Sequence, residues 1–97
     1  MARGRSPKTH ELLIALRHPL RREILKQMVG DKAISPRELA TILERPLSNV
    51  SYHVRVLVEC NVLTLVRTRQ VRGSTQHFYR SAVKDEWAQA VLSNTAS

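Results

Sequence analysis

The sequence predicts a mainly α-helical fold with one small β-hairpin and a final helix. Apolar residues recur at helical spacing over most of residues 7–60, whereas after Asn61 the chain becomes rich in β-branched and aromatic residues, as strands are. Prolines and glycines divide the helical part into separate helices. A chain of 97 residues is one small domain, and such a domain buries about 60 to 65% of its unfolded surface.

Two helices are predicted before residue 31. The first begins at Ser6 and Pro7 and ends near His18, because the residue before a proline disfavours helical geometry. The second begins with Pro19 at its first position and ends before Gly30, which readily takes a left-handed backbone conformation. The apolar stripe of the first helix is Leu12, Leu13 and Leu16. That of the second is Leu20, Ile24, Leu25, Met28 and Val29.

The next two helices are predicted to form a helix-turn-helix over residues 34–60. Ser35 and Glu38 make a capping box around Pro36, so that each side chain satisfies a free amide at the helix start. Pro46 then ends this helix after a short turn, and Asn61 suits the left-handed position after the following helix. The apolar face of the first is Leu39, Ile42 and Leu43. That of the second is Leu47, Val50, Val54, Leu57 and Val58.

The outward face of the second of these helices carries short polar side chains and one arginine. Its members are Ser48, Asn49, Ser51, Tyr52 and Arg55. Apart from arginine these residues are mediocre helix formers, so a merely solvated face made of them costs helix stability without gaining any packing. Short hydroxyl and amide groups allow close approach to base edges, and arginine binds guanine with two hydrogen bonds. We therefore interpret this helix as one that contacts DNA bases, against the alternative of an ordinary solvated surface.

Two short strands follow, over residues 62–69 and 76–79, joined by a turn at Arg72-Gly73-Ser74. Two strands directly after a helix-turn-helix make a winged helix-turn-helix, with the hairpin as the wing. The wing arginines are Arg67, Arg69 and Arg72. We expect them to contact the DNA backbone or the minor groove. The alternative is that they only keep an exposed hairpin from pairing with neighbouring molecules.

Charge is distributed unevenly along the chain. The net charge is +8, which favours polyanions as partners. Residues 1–33 carry eight basic and three acidic side chains, residues 61–80 carry four and none, and residues 34–60 carry three of each. Positive flanks around a neutral centre suit a module that holds phosphates on either side of a base-reading helix. Residues 1–6 form a basic arm whose Arg3 and Arg5 contact DNA or, alternatively, only aid solubility.

Other functional classes find no support in the sequence. No apolar run approaches the ~18 residues of a membrane span, and no signal peptide is recognisable, so we expect a cytoplasmic protein. The single cysteine, Cys60, is interpreted as a small buried residue, and the four histidines stand too far apart for a metal site. No catalytic or nucleotide-binding motif occurs. We therefore expect no enzyme activity, no cofactor and no metal.

The last segment, residues 82–93, is predicted to be an amphipathic helix with Val83, Trp87, Ala90 and Val91 on one stripe. A domain this small has little core to cover both this stripe and that of the first helix, so we expect a homodimer rather than a self-packed monomer. The predicted interface is Leu12, Leu13, Leu16, Trp87 and Val91. Such a dimer would hold two base-reading helices about 34 Å apart. The expected organisation is an arm (1–6), a DNA-binding domain (7–80), and a dimerisation helix and tail (81–97).

Several short motifs occur in an order and spacing that together are specific. They are His18-Pro19-Leu20-Arg21-Arg22-Glu23-Ile24-Leu25, Glu38-Leu39-Ala40, Val50-Ser51-Tyr52-His53-Val54-Arg55-Val56-Leu57, and Arg72-Gly73-Ser74 with Tyr79-Arg80. With these motifs, residues 9–92 resemble the ArsR-type winged helix-turn-helix regulators of bacteria and archaea. The resemblance implies a dimeric, sequence-specific DNA-binding regulator, often a repressor that releases DNA when an effector binds. It implies base contacts from Ser48, Asn49, Ser51, Tyr52 and Arg55, and a wing contact from Arg72. His53 matches a histidine of the family's helix, and its place on the flank of the helix indicates a structural role.

The sequence departs from the metal-sensing members of that family. Where they carry a Cys-x-Cys pair, this chain has Leu39-Ala40-Thr41-Ile42, and near its end only Asp85 and Glu86 remain of a possible ligand set. We therefore expect no metal sensing, and a small-molecule effector stays open.

The predicted function is that of a sequence-specific double-stranded DNA-binding transcriptional regulator of a prokaryote, a homodimeric repressor on a palindromic operator, associated with the nucleoid when bound. The alternatives are a non-specific nucleoid protein, or a winged helix that uses its basic face for RNA or protein.

Overall fold

The computed structural model describes residues 6–30 and 32–94, and over these residues it has five helices and one two-stranded antiparallel sheet. In chain order the elements are α1 (Thr9–Ala15), α2 (Pro19–Gln27), α3 (Pro36–Leu43), α4 (Leu47–Glu59), β1 (Leu63–Val71), β2 (Ser74–Ser81) and α5 (Glu86–Asn94). The predicted fold class and order of elements are confirmed. Arg3 and Arg5 lie outside the described residues.

The start of α3 has the predicted capping box. The Ser35 hydroxyl accepts a hydrogen bond from the Glu38 backbone amide at 3.2 Å, and the Glu38 carboxylate accepts one from the Ser35 amide at 3.0 Å. Glu44 ends the helix in a left-handed conformation with a φ of 54°, and α4 begins after Pro46. The turn between the two helices is therefore short and well specified.

Ile42 of α3 differs from the prediction, since its side chain is exposed and does not join Leu39 in the core.

Helix α1 begins at Thr9, later than predicted, because its first turn is capped from Lys8. The Lys8 amide donates to the Glu11 carboxylate at 2.8 Å. The other oxygen of that carboxylate accepts from the Asn61 side-chain amide at 2.9 Å. Asn61 has a φ of 64°, which confirms the predicted left-handed residue after α4. Glu11 thus ties the start of α1 to the end of α4.

One apolar core joins all five helices and the base of the hairpin. Its fully buried side chains include Leu12, Ile24, Leu39, Val50 and Leu57. Leu12 and Leu16 were expected at a dimer interface, but they are 0% and 9% exposed within the single chain and belong to its own core. Their stripe faces α1's own domain, which leaves them little surface for a partner.

The final helix also differs from the prediction, since α5 starts at Glu86 and not at Ala82. Ala88 and Leu92 lie buried in the core, while Trp87 and Val91 lie on the exposed side. The sequence contains both apolar stripes at helical spacing, so periodicity alone could not select the inward one. Helix α5 packs against α2, and the small Ala88 is fully buried in the core whereas the bulky Trp87 is not.

The hairpin is longer than predicted and is joined by a two-residue turn. Val71 pairs with Ser74, and the turn residues Arg72 and Gly73 have φ values of 49° and 82°. Two successive positive φ values in a two-residue loop are those of a type I′ turn, which matches the twist of the flanking strands. At the base of the hairpin, Tyr79 exchanges two backbone hydrogen bonds with Ile34, at 2.9 and 3.1 Å. The wing is thereby fixed to the segment that leads into α3.

Candidate nucleic-acid interface

Helix α4 turns its apolar side inward and its polar side to solvent. Val50, Val54 and Leu57 are buried in the core. The predicted base-reading residues Ser48, Asn49, Tyr52 and Arg55 are all exposed, and Tyr52 is 58% exposed. Tyr52 and Arg55 follow Ser48 by four and seven positions, so the three residues share one side of the helix. Asn49 lies three positions before Tyr52 and is therefore its neighbour on the helix surface. These side chains form a continuous surface of hydrogen-bonding groups.

Ser51 lies elsewhere than on this open surface. It is half-buried and lines a groove of about 280 Å³ between α4 and the hairpin. The opposite wall includes Thr75 and His77 of β2, and Arg37 stands at the end formed by the start of α3. Sequence reasoning missed these last three residues. The residues that line this groove come from α3, α4 and β2, which are distant in sequence, and only the folded chain brings them together.

The wing arginines have different surroundings. The Arg67 guanidinium carbon lies 4.1 Å from the centre of the buried Phe78 ring, over its face. The positive charge is attracted to the electron-rich face of the ring. Arg69 and Arg72 are exposed, and neither forms an ion pair with another described residue. Arg67 therefore has a partner within the fold, whereas Arg69 and Arg72 are available to an external anion.

Arg72 occupies a backbone conformation that suits other residues better. Its φ of 49° lies in the left-handed region, where asparagine, aspartate and glycine are preferred in a type I′ turn. A long side chain at such a position is kept at a cost in turn stability. Arg72 thus holds an exposed cation at the tip of the hairpin.

Behind the open face, His53 joins α4 to the α1–α2 junction. Its ring centre lies 4.3 Å from that of His18, and its Nδ1 is 3.4 Å from the Arg21 guanidinium. Burial lowers the pKa of His53, and the nearby His18 and Arg21 lower it further. His18 in turn caps α2, since its Nδ1 accepts from the Leu20 amide at 3.0 Å. The neutral imidazole is therefore the form that this packing favours.

Arg21 is a structural residue that sequence reasoning did not single out. Besides its contact with His53, it donates to the carbonyl oxygens of Ile14 at 3.0 Å and Ala15 at 3.2 Å. These carbonyls belong to the last turn of α1, where helix geometry leaves carbonyls short of donors, and the Ile14 carbonyl also accepts from the Arg17 backbone amide at 3.3 Å. Arg21 thus connects the end of α1 to the back of α4. In sequence it is one cation among sixteen lysines and arginines, and nothing distinguishes it before the helices are assembled.

The described residues show no other chemical centre. They contain no cluster of three or more metal-ligating side chains, and among them no helix has the length and apolarity needed to cross a bilayer. Cys60 is buried, and burial raises the pKa of its thiol, which keeps it in its unreactive protonated form.

Comparison with known proteins agrees with this geometry. The sequence model of a family described as a helix-turn-helix domain matches residues 16–66, more than half of the chain. The chain belongs to this helix-turn-helix family. The match includes α2, α3, α4 and the start of β1, so it spans the helix that was predicted to read bases and much of the core behind it. No curated protein sequence gives a significant match.

Solved structures show the same fold for this member of the helix-turn-helix family. One is the transcriptional repressor PagR of Bacillus anthracis, with 23% identity, a TM-score of 0.60 and 87% of each chain covered. Another is a homodimeric winged helix-turn-helix DNA-binding domain from Mycobacterium bovis, described as a possible ArsR-family transcriptional regulator. It has 19% identity and a TM-score of 0.60, over 87% of this chain and 70% of that one. The resemblance to ArsR-type regulators is confirmed at the level of the fold, which this chain shares with both structures.

Proposed function

We propose that this protein is a sequence-specific regulator of transcription that binds duplex DNA with α4 in the major groove. The observation that carries the proposal is the exposed surface of Ser48, Asn49, Tyr52 and Arg55 on a helix whose opposite side is fixed in the core. A helix held rigidly from behind presents its polar side chains at defined positions, which base readout requires.

The wing and the groove supply the contacts that position α4. Arg69 and Arg72 are exposed cations beside the base-reading surface, and Arg37 and His77 line the groove between α4 and β2. Contacts from such groups to phosphates fix the register of a protein on DNA without reading its sequence. Ser51 belongs with this groove and is assigned to a backbone contact.

Selection from a pool of random duplexes tests this function. The purified protein should enrich a defined motif with two-fold symmetry, bound at least ~10³-fold more tightly than random DNA. Recovery of DNA without a common motif would favour a non-specific nucleoid protein instead. Failure to retain duplex DNA, together with binding of single-stranded RNA, would favour the RNA-binding alternative.

Within this proposal the protein acts as a homodimer, through residues exposed on α1 and α5. Leu13, Ile14, Trp87 and Val91 are the large apolar side chains exposed there, and the similar domain from Mycobacterium bovis is described as homodimeric. Leu12 and Leu16 are no longer part of the proposed interface. A two-fold dimer would space two α4 helices for a palindromic operator, from which it represses transcription.

Sedimentation at micromolar concentration tests the dimer. The wild type should sediment at twice the chain mass of 11.1 kDa, and Trp87→Ala should shift it toward monomer, because it removes a large apolar side chain from the interface. The matched control is Ile42→Ala, which truncates another exposed apolar residue away from α1 and α5. A wild type that sediments as a monomer would remove the dimer and the palindromic operator, while the base-reading surface would stand.

A further inference from the structure

A cavity lies on the side of the domain formed by the end of α2, the end of β2 and α5. Its volume is about 420 Å³, within the range of roughly 300–1000 Å³ typical of small-molecule pockets. None of the residues assigned above to DNA contact lines it. Its walls come from three separate elements, so its shape depends on how they pack.

The floor and the rim of this cavity differ in chemistry. Leu25, Met28, Val83 and Leu92 contribute an apolar floor, and all four are buried. Arg80 and Lys84 stand at the rim, and no acidic residue lines the cavity among the described part of the chain. Neither cation forms an ion pair with another described residue.

We propose that this cavity binds a small organic carboxylate with an apolar body. The body would cover the floor and leave water, while the carboxylate would accept hydrogen bonds from Arg80 and Lys84. A neutral molecule of the same shape would leave both cations without a counter-charge. An anion without an apolar body would leave the floor uncovered, so affinity requires the two parts together.

The position of the cavity connects it to the wing. Arg80 pairs with Thr64 across the hairpin and directly follows Tyr79, whose backbone bonds to Ile34 hold the wing in place. A ligand that draws Arg80 toward α5 therefore acts on the base of the wing. This regulatory step rests on the proposed DNA-binding function, whereas binding of the carboxylate does not.

Titration of the 97-residue protein with octanoate, below its micelle-forming concentration and without DNA, tests the site. Calorimetry should show saturable binding, with 1-octanol and acetate each at least about tenfold weaker. The double variant Arg80→Gln/Lys84→Gln should lose at least about tenfold in octanoate affinity, with an unchanged thermal unfolding midpoint. The control Arg17→Gln/Arg45→Gln removes the same charge from exposed positions outside the cavity and should keep wild-type affinity.

Equal octanoate affinity in both double variants, or equal affinity for octanol and octanoate, would overturn the site. A second titration measures binding of the selected duplex with and without saturating octanoate, and a change in its affinity is expected. Octanoate binding with unchanged duplex affinity would overturn the regulatory step. Absence of duplex binding even without octanoate would overturn the proposed function, while the calorimetric result would stand.

Discussion

Two arginine-rich regions of this chain use their cations in different ways. At the α1–α2 junction, Arg21 and Arg22 donate to carbonyl oxygens at the end of α1, at distances of 2.6 to 3.2 Å. On the hairpin, Arg69 and Arg72 are exposed and form no ion pair with another described residue. Both regions look alike in sequence, as basic flanks of a neutral helix-turn-helix. Net charge therefore overstates the number of cations that a polyanion can bind.

The largest effect on stability is expected from Arg21→Met. Methionine keeps much of the apolar stem but leaves the carbonyl oxygens of Ile14 and Ala15 without their charged donor. We expect the free energy of unfolding to fall by about 1 to 3 kcal/mol in urea titrations. The matched variant Arg69→Met should change it by less than about 0.5 kcal/mol. Equal losses in the two variants would show that the regions do not differ.

The wing is expected to give the opposite result at Arg72. Asparagine tolerates a left-handed conformation better than arginine, so Arg72→Asn should raise the free energy of unfolding by about 0.5 to 1 kcal/mol. The same variant should bind every duplex more weakly and flatten the salt dependence of binding by about one unit of slope for each phosphate that Arg72 neutralises. A more stable protein with an unchanged salt slope would mean that Arg72 binds no phosphate.

A smaller effect is expected from pH at the α1–α2 junction. The groups that face His53 are His18 and Arg21 from that junction and Tyr52 from its own helix. Because the pKa of His53 is lowered in the folded protein, the unfolded chain binds a proton there more readily. Its contribution to stability is therefore fully present above the ordinary histidine pKa of about 6.5 and is lost as pH falls from that value through the lower pKa of the folded protein.

The variant His53→Gln isolates this contribution. Urea titrations between about pH 8 and pH 5 should show a shallower loss of stability in the variant than in the wild type. The control His77→Gln removes an exposed histidine of the hairpin and should keep the wild-type slope. A wild-type slope in His53→Gln would mean that the junction has no part in the pH dependence.

Local rules predicted most of the fold. The capping box of Ser35 and Glu38, the left-handed Asn61 and the turn at Gly73 each depend on residues a few positions apart, and all three are confirmed. The inward face of α5 could not be predicted in the same way. Both of its stripes have helical spacing, and only packing into the folded core buries Ala88 and leaves Trp87 exposed.

The candidate interface likewise contains residues that local rules predict and residues that only the folded chain brings together. Exposure of Ser48, Asn49, Tyr52 and Arg55 follows from the helical period of α4 alone. The groove that holds Ser51 requires β2 beside α4, and the assignments of Arg21 and His53 require α1, α2 and α4 together. Contacts between distant parts of the chain leave no periodic signal in a single sequence.

We propose that α4 reads the DNA sequence while the wing only adds affinity. Binding of the selected duplex and of random DNA, measured for the wild type, Asn49→Ala and Arg72→Asn, separates these two roles. Asn49→Ala should lose about 1 to 3 kcal/mol on the selected duplex and little on random DNA. Arg72→Asn should weaken both and leave their ratio unchanged. Full affinity of Asn49→Ala for the selected duplex, or an equal loss on both DNAs, would contradict the account.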